Sequence, residues 1–461
     1  MTTGALLDAL IEIAEVTKAD FAMDIYMTPS GLSLILSGKR LPALKEKEKF
    51  SQNAARVLAK HIFSTNCHFK FKDLFPIIYK FNSQHELEAF LENALEYYFD
   101  RDWAVANEQE QEIPDRGITY LADDVIMNTF CVVLSDWLLR DLATELDIYS
   151  SLPFFSKYLP SLLKRIRILW DKQRPVKFNQ AIYSSELAPG FNTRSPLEFI
   201  YNFQEFCKLS FWQPDSTFDN DFILLKDQLL ILFGHQLDNT LSMTIINDRS
   251  YVQHFYEKVF KNAAVKLTYN REDVEHIRST HPGILASFAQ ERQIESSFIF
   301  SPIGLSASEE NLIPVISSAT ERKDLLSFFE EILSGDGAIF FSDDALKLFI
   351  DTGRVHVPFY GAFELPPSGR MAYLRRMVQH SSAEKAKFHL IYSNLSRMVI
   401  LCMPNFSLVY TVDHSLENEK IHLLPGADIG KTLKKQIEKN SLEVAVFNQE
   451  LWDKYLQEQI S

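Results

Sequence analysis

Glycine is scarce in this chain, at 15 of 461 residues, which is less than half of the usual share of about 7%. Because glycine supplies many of the tight turns of sheet proteins, its scarcity predicts helix-rich structure with few tight turns. The four cysteines lie far apart without CxxC spacing. They predict buried free thiols in a reducing compartment.

Long apolar runs are also missing. The two most apolar stretches, residues 125–138 and 222–233, are too short to span a bilayer and both contain charged side chains. The first residues show no basic stretch ahead of an apolar core, so we expect no signal peptide. We therefore expect a cytoplasmic protein with no membrane partner.

Motifs of known catalytic chemistry are absent from the sequence. It contains no HExxH and no GxSxG pattern, and the twelve histidines show no paired ligand spacing. The stretch from Gly426 to Gly430 resembles a phosphate-binding loop but has three residues between its glycines, where that loop needs four. A helix start is the better interpretation. The sequence therefore predicts no catalytic residue, no cofactor and no metal.

The most informative segment that is present is residues 17–44, TKADFAMDIYMTPSGLSLILSGKRLPAL. Thr17 can cap the start of one helix, and Thr28 followed by Pro29 marks the start of a second. Gly38 suits the position just past a helix end. The apolar residues recur at helical spacing: Phe21, Ala22, Ile25, Leu32 and Ile35. The segment predicts two short helices joined by a tight turn.

This segment resembles the lambda-repressor/Cro (Xre-type) helix-turn-helix family, over about the first 65 residues. Thr28-Pro29-Ser30 matches the family's turn and helix start, and the stretch from Ser37 to Pro42 matches its Ser-Gly-Lys-Arg-x-Pro ending. Tyr26 stands where the family usually has glycine, so the turn needs either a tyrosine in an unusual backbone conformation or a different turn. Leu34 stands where a polar residue often reads a base. The resemblance implies a five-helix head that usually works as a dimer on a palindromic site.

Two sets of residues are candidates for contact with DNA. The outward face of the second helix would contact base edges in the major groove: Thr28, Ser30, Gly31, Ser33 and Leu34. Hydroxyls and cations around the motif would contact phosphates: Thr17, Lys18, Ser37, Lys39, Arg40 and Lys45. The alternating charges at 45–49 fit a solvated, self-paired helix face equally well.

Charge separates this head from the rest of the chain. Residues 1–72 carry ten Lys/Arg and seven Asp/Glu, a balance of +3, whereas residues 73–461 carry a balance of −17. Because DNA attracts cations through its phosphates, the acidic body should be held away from the duplex. The head is then the expected DNA contact.

Patterning predicts three domains and a mainly α protein with an α/β (α+β) C-terminal part. Residues 1–70 form the helix-turn-helix domain. Residues 73–248 are predicted to be all-helical, for dimerisation or sensing, with helices near 85–99, 118–146 and 154–170. Residues 249–461 contain short β-rich runs alternating with helical stretches, which predicts an α/β or α+β domain for sensing or interaction. Three of those runs, between 388 and 412, are expected to form an antiparallel meander.

Two basic clusters are candidates for an anionic effector, because arginine suits carboxylate and phosphate. One lies at residues 164–177, and the other comprises Arg370, Arg375 and Arg376. Ordinary salt-bridged helix faces are the alternative.

The sequence as a whole favours a DNA-binding transcription regulator. It would be a homodimer on double-stranded DNA, with a body that responds to a small-molecule or protein effector. One alternative is an enzyme or toxin-type effector in the body, at residues 249–461, with an autoregulatory head. Another is a protein-interaction scaffold whose head does not bind DNA.

Overall fold

The computed structural model describes most of the chain, and its residues fall into two compact units. The first unit comprises Met1–Phe178 and Ser216–Asn262, and the second comprises Asn179–Asp215 and Ala263–Ser461. The described residues are 1–65, 67–107, 118–121, 123–140, 145–152, 166–168, 175–182, 197, 200–201, 207–215, 220–261, 264–291, 293–379, 387–393, 395–413, 418–425 and 428–460.

The first unit begins with a group of helices. Helices of this unit are α1 (Thr3–Ile13), α2 (Lys18–Asp24), α3 (Pro29–Leu36), α4 (Leu44–Ser64), α5 (Gln84–Asn107), α6 (Asp123–Leu139) and α7 (Arg249–Tyr256). Helices α1 and α2 pack against α3, and α5 packs against α4 and α1. The fifth helix of the group is thus α5, which begins beyond the predicted domain limit at residue 70.

Strands lie between and after the helices of this part of the chain. Those before residue 250 are β1 (Ile77–Tyr79), β2 (Ile118–Leu121), β3 (Leu146–Ser150), β4 (Ile166–Ile168), β5 (Val176–Ala181), β6 (Lys208–Pro214), β7 (Asp221–Leu225), β8 (Leu229–His235) and β9 (Leu241–Ile246). The described residues form two eight-stranded sheets. Within the first unit, consecutive antiparallel neighbours run in the order β3, β7, β8, β9, β2. The prediction of an all-helical region at 73–248 is therefore wrong.

The hairpin of β7 and β8 shows why that prediction failed. Leu225 pairs with Leu229 across a three-residue turn, and Asp227 in that turn has a φ of 61°. A short apolar run fits a buried strand as well as a buried helix. The turn carries Asp227 instead of a glycine, so the sequence pattern does not separate this apolar run into two strands.

The three helices predicted in this region have different outcomes. The helix at 85–99 is confirmed as part of α5. The helix at 118–146 is confirmed only as α6, because β2 precedes it and β3 begins at its predicted end. The helix at 154–170 and the basic cluster at 164–177 lie mostly outside the described residues, although 166–168 form β4.

The second unit combines helices with the second eight-stranded sheet, so the mixed α+β expectation for the C-terminal part is confirmed. Its helices are α8 (Arg271–Thr280), α9 (Ile284–Glu291), α10 (Glu309–Leu312), α11 (Ala319–Ser334), α12 (Asp343–Thr352), α13 (Pro367–Met377), α14 (Asp428–Lys439) and α15 (Gln449–Ile460). Its later strands are β10 (Ala264–Lys266), β11 (Thr268–Asn270), β12 (Ser296–Ile299), β13 (Ala338–Ser342), β14 (Arg354–Val357), β15 (Gly361–Glu364), β16 (Phe388–Ile391), β17 (Met398–Cys402), β18 (Phe406–Val412), β19 (Glu419–Pro425) and β20 (Glu443–Phe447).

The strand order of this sheet is β11, β19, β18, β17, β12, β13, β16, β20. Strand β13 pairs in parallel with β12 and β16, and the other neighbours are antiparallel. The predicted meander of β16, β17 and β18 is therefore wrong. Strand β16 lies beside β13 and β20, and the antiparallel meander comprises β17, β18 and β19.

The packing of helix α14 explains the glycine at position 430, near the start of the helix. Gly426 lies outside the described residues, but Gly430 lies within the helix. A Cβ added at Gly430 would lie 2.9 Å from the Ser296 hydroxyl oxygen and 3.0 Å from the Cys402 sulfur. Close packing of the helix on the sheet thus accounts for this glycine, in agreement with the prediction of a helix start.

Candidate DNA-binding surface

The two helices of the motif begin as their capping residues predict. The Thr17 hydroxyl accepts from the amide of Asp20 at 3.1 Å, and the Thr28 hydroxyl accepts from the amide of Gly31 at 3.1 Å. Pro29 occupies the first turn of α3, where its missing N–H breaks no helical bond. Each cap satisfies an amide that the helix itself leaves without a partner.

The turn between the helices is built on Tyr26, which has a φ of 59°. Its amide donates to the carbonyl of Met23 at 3.0 Å, and the Met27 amide donates to the carbonyl of Ala22 at 2.8 Å. These two bonds are those of a Schellman motif, which needs a left-handed residue directly after the helix cap. Of the two alternatives predicted for this turn, the structure has the first, a tyrosine in the left-handed conformation.

The end of α3 repeats this arrangement with glycine. Gly38 has a φ of 69°, and its amide donates to the carbonyl of Ile35 at 2.9 Å. The Lys39 amide donates to the carbonyl of Leu34 at 3.0 Å. The chain therefore turns sharply at Gly38 and presents Lys39 and Arg40 at the exit of α3, where both side chains are exposed.

The buried face of the motif is the one that its spacing predicts. Phe21 and Ala22 on α2 and Leu32 and Ile35 on α3 are buried. Gly4 on α1 lies so close to α3 that a Cβ there would lie 2.5 Å from the carbonyl oxygen of Ile35. This packing fixes which side of α3 faces outward.

The predicted base-reading residues lie on the opposite side of α3. Thr28, Ser30 and Ser33 are exposed, Leu34 is 41% exposed and Gly31 is half-buried. The Thr28 and Ser30 hydroxyls lie 3.3 Å apart. This face offers small hydroxyls and one branched apolar side chain, a combination that can contact base edges and thymine methyl groups but makes few strong hydrogen bonds.

Three of the residues predicted to contact phosphates already form ion pairs or hydrogen bonds within the protein. Lys18 forms an ion pair with Asp8 at 2.6 Å. The Thr17 hydroxyl donates to the Asp20 carboxylate at 2.6 Å, and the Ser37 hydroxyl donates to the Leu34 carbonyl at 3.1 Å.

The remaining phosphate candidates carry exposed charges. Lys39, Arg40 and Lys45 are exposed and form no ion pair with any residue in the described part of the chain. Their neighbour Lys47 is paired with Asp100 of α5 at 2.6 Å. Lys39, Arg40 and Lys45 are therefore the cations of this region best placed to meet phosphates.

Two exposed side chains at the turn were not assigned a role from the sequence. Tyr26 is 84% exposed and Met23 is 61% exposed, and both precede the N-terminus of α3. Tyr26 was recognisable as a departure from the family's glycine, whereas nothing in the local pattern distinguished Met23. Both side chains border the predicted base-reading face in sequence.

Helix α5 fastens the motif through contacts that the sequence did not reveal. The Asp102 carboxylate accepts from the amide and the hydroxyl of Thr3 at 2.6 and 2.7 Å, which caps the start of α1. The Trp103 indole N–H donates to the carbonyl of Pro42 at 3.3 Å. These contacts join residues 60 to 100 positions apart, so no local pattern could have predicted them.

A buried carboxylate ties α5 to α6. Asp136 is 1% exposed and accepts from Arg101 at 2.6 Å, from Tyr98 at 3.1 Å and from Tyr97 at 3.2 Å, and it also pairs with Arg140. Burial acts to raise the pKa of Asp136, but the hydrogen bond from Arg101 and the charges of both arginines outweigh burial and hold that pKa below its usual 3.8. The carboxylate is thus charged, and it anchors the helix that braces the motif.

The three arginines predicted to bind an effector do not act together. Arg370 donates to the carbonyls of Leu365 at 3.0 Å and of Ile350 at 2.7 Å, so its guanidinium closes the end of α12. Arg375 pairs with Asp453 at 2.9 Å. Arg376 borders a cavity. Two of the three guanidinium groups therefore have structural partners, whereas an effector site at this cluster stays a prediction.

The described part of the chain shows neither a metal cluster nor a membrane-spanning helix. No cluster of three or more His, Cys, Asp or Glu side chains there could hold a metal ion. No helix there is both long enough and apolar enough to cross a membrane.

Comparison with known proteins adds little to these observations. No protein family matches the chain, and no curated protein matches it. Among solved structures, the chain is similar to TrmBL2, described as an archaeal chromatin protein with a novel mode of DNA binding, at 17% sequence identity. The match covers 44% of this chain and 66% of that chain, just under two thirds of its length, with a TM-score of 0.20. A likeness at that TM-score carries no argument about fold or function.

Proposed function

We propose that this chain is a sequence-specific DNA-binding transcription regulator of the lambda-repressor/Cro type, which binds its site as a homodimer. The observation that carries the proposal is the outward surface of α3. It presents exposed hydroxyls and Leu34 along one face, and Lys39 and Arg40 are exposed at its exit without an ion pair to any described residue. A helix of this kind enters the major groove while cations beside it contact the phosphates.

Two sets of residues on the proposed surface contribute to DNA binding in different ways. Lys39 and Arg40 position the motif on the backbone, which supplies affinity but no sequence information. Ser30, Ser33 and Leu34 meet the base edges, and Leu34 suits a thymine methyl group. Because these side chains offer few hydrogen bonds, sequence-dependent DNA shape contributes much of the specificity.

The phosphate contacts are tested by removing both cations at the exit of α3. The Lys39→Ala/Arg40→Ala double variant of the full chain should bind every DNA sequence more weakly. Each lost phosphate contact lowers the slope of log affinity against log salt by about 0.9, so the double variant should lose about 1.8. Fluorescence anisotropy with labelled DNA at several salt concentrations measures both quantities.

The matched control removes the same two charges from α4. Arg56 and Lys60 are exposed and lie outside the motif, so the Arg56→Ala/Lys60→Ala variant should keep the wild-type slope. An unchanged slope in the Lys39→Ala/Arg40→Ala variant would refute the docking of α3. A slope that falls equally in both variants would show that overall charge, not this surface, determines binding.

Base reading is tested separately by selection from random DNA. Ser30→Ala and Leu34→Ala should change the selected sequence, because a good base contact is worth about 1–3 kcal/mol of discrimination. Symmetric selected sites, with half-sites about 34–36 Å apart, would match a dimer. If the wild-type chain selects no sequence and binds no DNA, the head is an interaction module and the proposal fails.

A further inference from the structure

The second unit contains a cavity of about 400 Å³ that the DNA-binding proposal does not use. It lies between helix α11, the end of α13 and the loop after β12, all within that unit. Its volume falls in the range of small-molecule sites. Its lining consists of five apolar and six polar or charged residues, and polar groups that fix the orientation of a ligand are a feature of small-molecule sites.

Two polar groups of this cavity are buried without a hydrogen-bond partner. Ser306 is 3% exposed, and neither its hydroxyl oxygen nor the buried Nε of Arg376 has a hydrogen-bond partner among the residues that the structure describes. A buried polar group normally has a partner, because leaving it without one is costly. Arg376 also forms no ion pair with any described residue, unlike its neighbour Arg375. These two groups can therefore accept a ligand that brings its own acceptor oxygens.

Carboxylates on the same cavity exclude a simple anion. Glu330 and Glu331 both line it, Glu330 exposed and Glu331 half-buried, so a ligand carrying negative charge alone would meet repulsion from the half-buried carboxylate of Glu331. A ligand carrying both a carboxylate and an ammonium group satisfies both signs of charge. The apolar lining then receives the rest of the ligand: Leu305, Ala307, Leu326, Phe329 and Leu333.

We propose that this cavity binds a free α-amino acid with an apolar side chain. Its carboxylate accepts hydrogen bonds from the Arg376 guanidinium and the Ser306 hydroxyl. Its ammonium group faces Glu331, and its side chain packs against Leu326 and Phe329. The inference goes beyond DNA binding and does not depend on it, because it concerns a site made wholly of residues of the second unit.

Leucine and two truncated relatives test the charge pattern of the ligand. The full chain, without DNA, is titrated with L-leucine, with 3-methylbutylamine, which lacks the carboxylate, and with 4-methylpentanoate, which lacks the amine. Calorimetry and thermal denaturation should show binding and stabilisation by leucine, and binding at least about tenfold weaker for either relative. Equal binding of 4-methylpentanoate would overturn the amino-acid assignment, and the absence of binding by leucine, isoleucine, valine, methionine and phenylalanine would overturn the site.

Variants place the binding in this cavity. Arg376→Gln should weaken leucine binding by at least about tenfold, whereas Arg375→Gln, which changes the adjacent exposed arginine, should leave it unchanged. Ser306→Ala should keep or raise the melting temperature without ligand, because it removes a buried hydroxyl that has no partner, and should still weaken leucine binding. Wild-type binding by both Arg376→Gln and Ser306→Ala would refute the proposal. Loss of DNA binding by the head would leave these titrations unaffected, so the two proposals fail separately.

Discussion

The left-handed tyrosine in the turn of the motif gives a sharp test of the local backbone argument. Tyr26 adopts a φ of 59° and its ring is 84% exposed, so the ring is mostly free of stabilising contacts. An L-residue in this conformation costs about 1–2 kcal/mol, and glycine avoids that cost but loses about 0.5–1 kcal/mol in conformational entropy. Tyr26→Gly should therefore stabilise the motif by about 0.5–1 kcal/mol.

Hydrogen exchange in the intact chain measures this change where it occurs. Amides of α2 and α3 that exchange through local opening should exchange about two- to fivefold more slowly in Tyr26→Gly. Tyr26→Ala is the matched control, because it removes the ring but keeps the Cβ in the left-handed region, and it should leave the rates nearly unchanged. If Tyr26→Ala slows exchange as much as Tyr26→Gly, or if Tyr26→Gly speeds it, backbone strain at this turn does not explain the result. Weaker DNA binding by both variants would further show that the ring itself contacts DNA.

Three further predictions concern packing and buried charge. Gly4→Ala should destabilise the first unit by about 3 kcal/mol, because the added Cβ would collide with backbone oxygens. Gly38→Ala, which has open space around the added Cβ, should cost only about 1 kcal/mol. Equal losses of unfolding free energy in urea for the two variants would contradict the close approach at Gly4. Asp136→Ala should cost about 3 kcal/mol, the lower end of the range for a buried pair, because it leaves the partly buried charges of Arg101 and Arg140 without this partner. Because the pKa of Asp136 is lowered in the folded state, its contribution should be present above pH 3.8 and be lost as the pH falls further. A loss below about 1 kcal/mol would contradict the pairing. Burial lowers the pKa of His422 from 6.5 to about 3, so below pH 6.5 the unfolded chain takes up a proton that the folded chain does not. The free energy of unfolding should therefore fall by up to about 1.4 kcal/mol per pH unit below pH 6.5. If the urea midpoint of a His422→Gln variant depends on pH as the wild type does, this histidine is not responsible.

The helix-turn-helix could be predicted because its signals are local. Thr17, Thr28 and Gly38 each act on amides or carbonyls within a few residues of themselves, as the caps in the structure do. The buried stripe followed from helical spacing alone. The departure at Tyr26 was visible because the family's turn requires a left-handed residue at that position.

The sheets of the first unit could not be predicted in the same way. The scarcity of glycine suggested few tight turns. Among the described residues, however, seven that are not glycine adopt a positive φ, against four glycines. Asp227, Asn239 and Phe359 are examples. The turns are present but carry other side chains. Leucine-rich runs then fitted a helix as well as a strand, and only pairing with distant strands decided between them.

The proposed amino-acid site shares one residue, Arg376, with the arginine cluster that the sequence suggested as an anion site. Clustered arginines indicated an anion site, but Arg370 and Arg375 are held by backbone carbonyls and by Asp453. Arg376 differs from the other two arginines because it lines a cavity, together with a Ser306 hydroxyl that has no hydrogen-bond partner among the described residues. Neither property is encoded by spacing along the chain, because both depend on how α11 and α13 pack.

The discontinuous course of the chain through its two units has a consequence for synthesis. Ile118 of β2 pairs with Ile245 of β9, and residues 179–215 of the other unit are made between them. At a rate of synthesis of about 5–20 residues per second, roughly 6 to 25 seconds pass between the synthesis of β2 and that of its partner strand β9. The helix-turn-helix can form at once, but the sheet of its own unit cannot close during that interval, and the unpaired edge of β2 is then a natural target for chaperones.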